Sequence, residues 1–129
     1  MQRDTLHVLV VDDEEDMQWL FRQHFRKEIK ANTLSFHFAL SGEDALTYMR
    51  SLKRADIVLV LSDINMPGMT GLELLKWLKQ EYAGVPVHII TAYGDEQNYR
   101  SAMQYGADGY LTKPIDFAEL KQTIVRMTA

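Results

Sequence analysis

Short apolar runs alternate along this chain with segments in which apolar residues recur every three or four positions. A short run of apolar and β-branched residues is typical of a strand that is covered on both faces, and the recurring pattern is typical of an amphipathic helix. The runs predict strands over residues 6–11, 33–40, 57–61, 86–91 and 109–112. The recurring pattern predicts helices over residues 17–25, 42–52, 72–82, 95–105 and 116–127.

Five strands that alternate with five helices predict an α/β fold with a doubly wound parallel sheet, because parallel crossovers are right-handed and each needs a covering helix. The run 57–61 is the most continuously apolar, so it is the predicted central strand. The fourth helix has a thin apolar stripe, and residues 27–33 form a rather long polar connection. The length of 129 residues predicts a single domain over 1–129.

Polar side chains stand where the predicted strands end. They are Asp12 and Asp13 after the first strand, Asp63 after the third, Thr91 at the end of the fourth and Lys113 after the fifth. The carboxyl ends of parallel strands share one edge of a sheet, and ligands of such folds bind beyond that edge. We therefore expect three carboxylates, a hydroxyl and an ammonium in one cleft.

The clustered carboxylates predict a metal ion. Carboxylates in one cleft repel one another, so their presence together usually means a compensating cation. Magnesium takes oxygen ligands and commonly bridges carboxylates to a phosphoryl group. Asp13 and Asp63 are the candidate direct ligands, and Asp12 is expected to act through a water molecule. The turn after Asp63 would add a backbone carbonyl, that of Asn65.

The remaining polar residues of the cleft suit a phosphoryl group. Lys113 would contact phosphoryl oxygens as a mobile point charge, and Thr91 would donate its hydroxyl. Asp63 is the candidate nucleophile, because a carboxylate can accept phosphate to form an acyl phosphate.

Composition excludes several other classes of protein. The net charge of -4 provides no broad positive field, so direct nucleic acid binding is not expected. The basic residues of the first helix and the connection after it fit a solvated helix face better than a nucleic-acid patch. They are Arg22, Arg26, Lys27 and Lys30.

The chain has no cysteine, which excludes disulfides and thiol nucleophiles, and no apolar run approaches the length of a membrane helix. A cytoplasmic protein without membrane contact is expected.

Taken in order, the strand-end residues carry a resemblance to a known family. The carriers are the pair Asp12–Asp13, the turn that runs from Asp63 through Asn65 to Gly68, the pair Thr91–Ala92, and the pair Lys113–Pro114. With these motifs the chain resembles, over essentially its whole length, the receiver domain of two-component response regulators. The resemblance implies a flavodoxin-like fold with strand order 2-1-3-4-5.

The resemblance also implies roles for the acidic residues. Asp63 would be phosphorylated by a histidine kinase or a phosphotransfer protein in a phosphorelay. Asp12 and Asp13 would organise Mg2+ together with Asp63 and the backbone carbonyl of Asn65. The protein would be a phosphorylation switch and not an enzyme, with only self-catalysed phosphoryl acceptance and slow autodephosphorylation.

The switch that the resemblance implies involves three further residues. Lys113 and Thr91 would hold the phosphoryl group, and Tyr110 matches the family's switch aromatic. Movement of Thr91 would let Tyr110 turn inward and reshape the face formed by the fourth helix, the fifth strand and the fifth helix. That face would regulate a downstream effector protein or an output domain, and a phosphorylation-dependent homodimer is also expected. The Lys113–Pro114 peptide bond is expected to be cis.

Some positions depart from the family's pattern, and other functions stay open. Thr70 stands where the family often has Asp, and Ser62 precedes Asp63 where an apolar residue is commoner. The bulky Tyr93 is predicted to shield the acyl phosphate from water. A phosphatase of the haloacid dehalogenase type would need a second acid where Asn65 stands. An interaction module that kept only the fold also stays open, as does a flavin or nucleotide carrier, although no Gly-rich or Walker loop occurs.

Overall fold

The five predicted strands form one parallel sheet. The computed structural model describes residues 5–51, 57–92 and 95–127. The strands lie in the order β2-β1-β3-β4-β5, so the predicted topology and the central position of the third strand are confirmed. Their bounds are β1 Leu6–Val11, β2 Leu34–Ala39, β3 Ile57–Asp63, β4 Val87–Ala92 and β5 Gly109–Lys113.

Six helices occur in the described part of the chain, one more than the sequence pattern predicts. The five predicted helices correspond to α1, α3, α4, α5 and α6, and none of the described helices is both long and apolar enough to cross a membrane. The bounds are α1 Asp16–His24, α2 Arg26–Lys30, α3 Gly42–Ser51, α4 Gly71–Glu81, α5 Glu96–Gln104 and α6 Phe117–Met127.

The additional helix α2 corrects the prediction of a polar connection over 27–33. Phe25 leaves helical geometry, with φ −111° and ψ 23°, and separates α1 from α2. Helical hydrogen bonding continues on both sides of it, because the Phe25 N–H donates to Phe21 and its carbonyl accepts from Ile29. α2 has no fully buried residue, and a helix of five residues is too short to produce an apolar stripe. The sequence pattern therefore does not reveal it.

Two apolar cores lie on opposite faces of the sheet. One core packs β-strand residues against α1 and α6, with Phe21 and Leu120 fully buried there. The other packs them against α3, α4 and α5, with Leu75 and Ala102 fully buried. Ala102 is the only buried residue of α5, which agrees with the thin apolar stripe of that helix.

The strand register brings the polar strand ends to one level. Val11 of β1 pairs with Ser62, so Asp12 follows β1 beside Asp63, the last residue of β3. On the other side, Asp63 pairs with Ile90 of β4, and the next residue along β4 is Thr91. The cleft therefore lies above the carboxyl ends of the central strands, as predicted.

Candidate functional site

Three carboxylates meet at the carboxyl edge of the sheet. One oxygen from each of Asp12, Asp13 and Asp63 lies within 4.8 Å of the others. Asp12 and Asp63 are buried, at 3% and 6% exposure, whereas Asp13 is exposed. Burial removes the water that would otherwise separate the charges, so the arrangement suits a hard cation with oxygen ligands.

The carboxylate of Asp12 is held in place but only partly satisfied. The backbone N–H of Glu14 donates a hydrogen bond of 2.8 Å to Asp12 Oδ1. Asp12 Oδ2 is buried and accepts no hydrogen bond from any of the described residues. Lys113 Nζ lies 3.4 Å from that oxygen as an ion-pair partner, without the geometry of a hydrogen bond. A buried oxygen with unused lone pairs fits a metal-ligand role, either directly or through water.

Lys113 reaches the same carboxylates from β5. Its Nζ donates to Asp63 Oδ2 at 3.3 Å, and its side chain is 29% exposed. Burial alone would lower the pKa of Lys113, but the carboxylates of Asp63 and Asp12 outweigh this and raise it. Lys113 therefore keeps its positive charge in the cleft at neutral pH.

The surroundings of Asp63 disfavour the negative charge of its carboxylate. Burial raises the pKa of the Asp63 carboxyl group, and the neighbouring Asp12 carboxylate raises it further. Lys113 and the backbone of Asn65 oppose this rise without cancelling it. A cation bound at the three carboxylates would reverse the balance, because it favours the ionised form of each of them.

The turn after Asp63 is held against the end of the strand by a close backbone contact. The Gly71 N–H donates to the Ile64 carbonyl at 2.9 Å. A Cβ atom on Gly71 would stand 2.2 Å from the Asp63 carbonyl oxygen. The buried Ser62 hydroxyl donates to the same carbonyl at 3.0 Å. No role for Gly71 was predicted, because its only sequence signal is its place at the end of the turn that precedes the predicted helix.

Thr70 has a structural role that its departure from the family's pattern did not suggest. It is the N-cap of α4, and its hydroxyl accepts a hydrogen bond from the Glu73 N–H at 3.2 Å. The Glu73 side chain accepts from the Thr70 N–H at 3.1 Å, which completes a capping box. This pair satisfies two N–H groups at the helix end beside the site.

Thr91 and Tyr110 lie on the neighbouring strands β4 and β5, and Tyr110 pairs with Ile89, two residues before Thr91. Thr91 is buried at 2% exposure, and the one hydrogen bond of its hydroxyl to a described residue is long, at 3.5 Å to the Ala92 carbonyl. Tyr110 is 44% exposed, and its ring centroid lies 4.3 Å from that of Tyr99 on α5. A cavity of about 520 Å³ borders Thr91, Tyr99 and Tyr110. The tyrosine therefore points outward against α5, beside space that it could enter.

Three smaller predictions have different outcomes. The Lys113–Pro114 peptide bond is cis, as predicted. Asn65 is exposed two residues after Asp63, and its backbone N–H donates a hydrogen bond to the Asp63 carboxylate. The predicted ligand role of the Asn65 carbonyl stays a prediction. Tyr93 lies outside the described residues, so its shielding role stays a prediction.

The arrangement has the parts needed to accept a phosphoryl group. It combines a buried carboxylate of the kind that can act as a nucleophile, an ammonium beside it, a group of oxygen atoms that could hold a divalent cation, and a hydroxyl with a long hydrogen bond. The structure brings the predicted acids and Lys113 together. Thr91 and Tyr110 lie on the paired strands β4 and β5, where Thr91 pairs with Thr112 and Tyr110 pairs with Ile89. The Glu14 backbone amide was not predicted, because backbone groups carry no signal in residue type.

Comparisons with known proteins agree with this geometry. The family described as response regulator receiver domain matches residues 8–125. The chain is 34% identical over 122 residues to chemotaxis protein CheY-3 of Vibrio cholerae, and this alignment covers 93% of this chain and 89% of CheY-3. It is 38% identical over 126 residues to the DNA-binding transcriptional regulator NtrC of Salmonella typhimurium, covering 98% of this chain but 25% of that regulator.

A solved structure gives the same result for the fold. The response regulator protein TrrA from Thermotoga maritima, in complex with Mg2+-BeF, superposes with a TM-score of 0.78 at 29% identity. The superposition covers 95% of this chain and 99% of TrrA. The family match extends over most of the chain, and it includes every strand-end residue of the site. The chain therefore belongs to the response regulator receiver domains of two-component signalling.

Proposed function

We propose that Asp63 accepts a phosphoryl group from a phosphohistidine on a histidine kinase or a phosphotransfer protein. The observation that carries this proposal is the position of the Asp63 carboxylate, which lies beside two further carboxylates and 3.3 Å from the Lys113 ammonium. We also propose that residues 1–129 form one domain and that the phosphorelay operates in the cytoplasm.

The chemical step is a displacement at phosphorus. A carboxylate oxygen of Asp63 attacks the phosphorus atom, the bond from phosphorus to the donor's imidazole nitrogen breaks, and that nitrogen keeps the electron pair. The other ring nitrogen of the donor carries a proton throughout, so the products are an acyl phosphate on Asp63 and a neutral histidine on the donor. Lys113 contributes a positive charge to the phosphoryl oxygens, where negative charge concentrates during the transfer. Only ionised Asp63 can attack, so the groups that oppose its raised pKa assist the reaction.

The acidic residues suit Mg2+ as the accompanying cation. Asp12, Asp13 and Asp63 would hold it together with the backbone carbonyl of Asn65, and the unused lone pairs of buried Asp12 Oδ2 support this assignment. When bound, the ion would neutralise charge on the carboxylates and on the incoming phosphoryl oxygens.

Phosphorylation would change the surface through Thr91 and Tyr110. The new dianionic group needs donors, and the Thr91 hydroxyl is weakly engaged in the unphosphorylated protein. Movement of Thr91 toward the phosphoryl group would open space for Tyr110 to turn inward. The face formed by α5, β5 and α6 would then contact an effector protein, an output domain or a second phosphorylated copy.

We propose that the chain does not turn over outside substrates. A phosphatase of the haloacid dehalogenase type would need a general acid two residues after the nucleophile, and Asn65 cannot serve as one. The acyl phosphate would instead be lost by slow autodephosphorylation, with water as the attacking group.

Beryllofluoride, which mimics a phosphoryl group on a carboxylate, tests this function by NMR. We expect wild-type protein with Mg2+ and beryllofluoride to show saturable shifts at the amides of Thr91 and Tyr110. The shifts should be lost without Mg2+ and in Asp63→Asn. The matched control is Asp44→Asn, which removes an exposed carboxylate of α3 and should respond like wild type. Equal shifts in Asp63→Asn would contradict the proposal.

A further inference from the structure

A basic groove lies beside the free edge of the sheet, on the side of α1 and α2. It has a volume of about 380 Å³. We call it the β2-edge groove, and the residues used below are Arg22, Arg26, Ile29, Lys30, Phe36 and Phe38. None of these residues takes part in the proposed phosphoryl acceptance.

The backbone of β2 is open on the groove side. β2 is the first strand in the sheet order, and β1 is its only neighbour within residues 5–51, 57–92 and 95–127. Apart from its pairing with β1 and one bond from the Asp12 N–H to the Ala39 carbonyl, β2 makes no backbone hydrogen bond to the described residues. An open strand edge is a template onto which an extended segment can add as a further strand.

The side chains that border this edge are positively charged and lack acidic partners. Arg22, Arg26 and Lys30 are exposed, and none forms an ion pair with an acid in the described ranges. The Arg22 guanidinium lies 5.1 Å from the centre of the Phe38 ring, so it extends over β2 itself. No acidic residue from the described part of the chain borders the groove. The cationic surface stands out because the whole chain carries a net charge of -4.

The groove also offers apolar contact area. Ile29, Phe36 and Phe38 are half-buried, and they pack against the core between the sheet and α1. An incoming strand would cover their remaining exposed surface. Apolar contact would then add to the backbone hydrogen bonds and the charge pairing.

We propose that the β2-edge groove binds an acidic, extended peptide segment of a partner protein, which adds to β2 as an outer strand. Every second side chain of such a segment would face α1 and α2, where carboxylates meet Arg22, Arg26 and Lys30. β2 has six residues, so about six residues of the partner would be paired, over roughly 20 Å. This role does not depend on phosphorylation of Asp63.

Charge argues against two other occupants. Two copies joined antiparallel through β2 would place two sets of the same cations on one face of the joined sheet, where they would repel. Nucleic acid would meet only a small cationic area on a protein whose net charge is negative. An acidic peptide uses both the charge and the open backbone edge.

The test uses a fluorescein-labelled octapeptide of alternating glutamate and valine with the full chain. We expect saturable binding by fluorescence anisotropy, with amide shifts confined to residues 22–30 and 34–39 in NMR spectra. Arg26→Glu should weaken binding about tenfold or more. The matched control is Lys27→Glu, which makes the same charge change on an exposed residue of α2 that does not border the groove. It should weaken binding less than about threefold.

Two further probes separate strand addition from general charge attraction. A peptide of the same charge with proline in place of valine lacks half of its N–H donors, so it should bind much more weakly. An oligothymidylate of equal charge should compete poorly. Circular dichroism should show that both charge variants remain folded.

Several results would overturn the proposal. These are no amide shifts at 34–39 in wild type, equal weakening by Arg26→Glu and Lys27→Glu, undiminished binding of the proline peptide, or equal competition by the oligothymidylate. A concentration-dependent dimer that protects the β2 amides would assign the edge to a second copy instead.

Discussion

Lys113 Nζ lies 3.3 Å from Asp63 Oδ2, although the two residues are fifty positions apart in the sequence and belong to strands that do not pair with each other. β4 separates β3 from β5, so the lysine side chain crosses the end of β4 to reach the carboxylate. The strand order therefore brings the Lys113 ammonium to the Asp63 carboxylate. The same contact connects the site to β5, the strand that carries Tyr110.

Removal of this ammonium should slow phosphorylation without unfolding the protein. Lys113→Met keeps an unbranched side chain but removes the charge that faces the phosphoryl oxygens, so we expect the rate with acetyl phosphate to fall about tenfold or more. Lys27→Met, at an exposed lysine far from the site, is the control and should keep the wild-type rate. Equal rates in the two variants would show that Lys113 has no role in transfer.

Asp63→Asn should stabilise the protein when metal is absent. The pKa of Asp63 is raised on folding, so the folded protein binds this proton more readily than the unfolded chain. The free energy of unfolding of the wild type therefore falls as the pH rises from the unfolded value, about 3.9, through the raised folded value. Asparagine does not ionise, so the variant avoids this loss of free energy at neutral pH. Lys113 still has the Asp12 carboxylate as an ion-pair partner in the variant.

Thermal unfolding in EDTA measures this effect. At pH 7 the variant should have the higher Tm. The difference should shrink as the pH falls through the unfolded value of about 3.9, below which Asp63 is protonated in both states. Mg2+ should raise the Tm of the wild type more than that of Asp63→Asn. A variant that is less stable than the wild type at pH 7 in EDTA would contradict the account.

Gly71→Ala should damage both stability and phosphoryl acceptance. The new Cβ would stand 2.2 Å from the Asp63 carbonyl oxygen and 2.7 Å from Ile64 Cα, so the backbone of the site must shift. We expect a loss of about 2 kcal/mol in the free energy of unfolding, measured with urea, together with slower phosphorylation. Gly84→Ala is the control, because beyond its two chain neighbours no heavy atom of the described residues lies within 4 Å of its new Cβ. Similar effects in both variants would refute the steric argument.

Tyr99→Ala should make the switch easier to activate. The Tyr99 ring contacts Tyr110 in the outward position, and aromatic pairs contribute about 0.5–1.5 kcal/mol beyond area burial. Loss of the contact destabilises the outward state, so beryllofluoride should bind about two- to tenfold more tightly. Tyr105→Ala, at a tyrosine that faces Lys76 instead, should leave this affinity unchanged. Weaker or unaltered binding in Tyr99→Ala would exclude Tyr99 as a restraint on Tyr110.

Strand-end residues could be predicted because each stands at a change from apolar to polar character. Asp12, Asp63 and Lys113 end runs that only a covered strand explains, and parallel strands bring such ends to a common edge. The short helix α2 could not be predicted, because a five-residue helix without a buried residue has no periodic pattern.

Features that depend on the backbone or on rotamers were also beyond the sequence. The amide of Glu14 holds Asp12, and the missing side chain of Gly71 lets the turn approach Asp63. Neither role follows from side-chain chemistry. The outward position of Tyr110 depends on packing against Tyr99, which comes from a different element and a separate stretch of chain.

Intact mass after incubation with Mg2+ and acetyl phosphate tests the central claim most directly. We predict one phosphoryl adduct per chain on the wild type, no adduct when Mg2+ is withheld, and no adduct on Asp63→Asn. An equal adduct on Asp63→Asn, or none on folded wild type even with a phosphorylated histidine kinase as donor, would contradict the assignment of Asp63 as the phosphoryl acceptor.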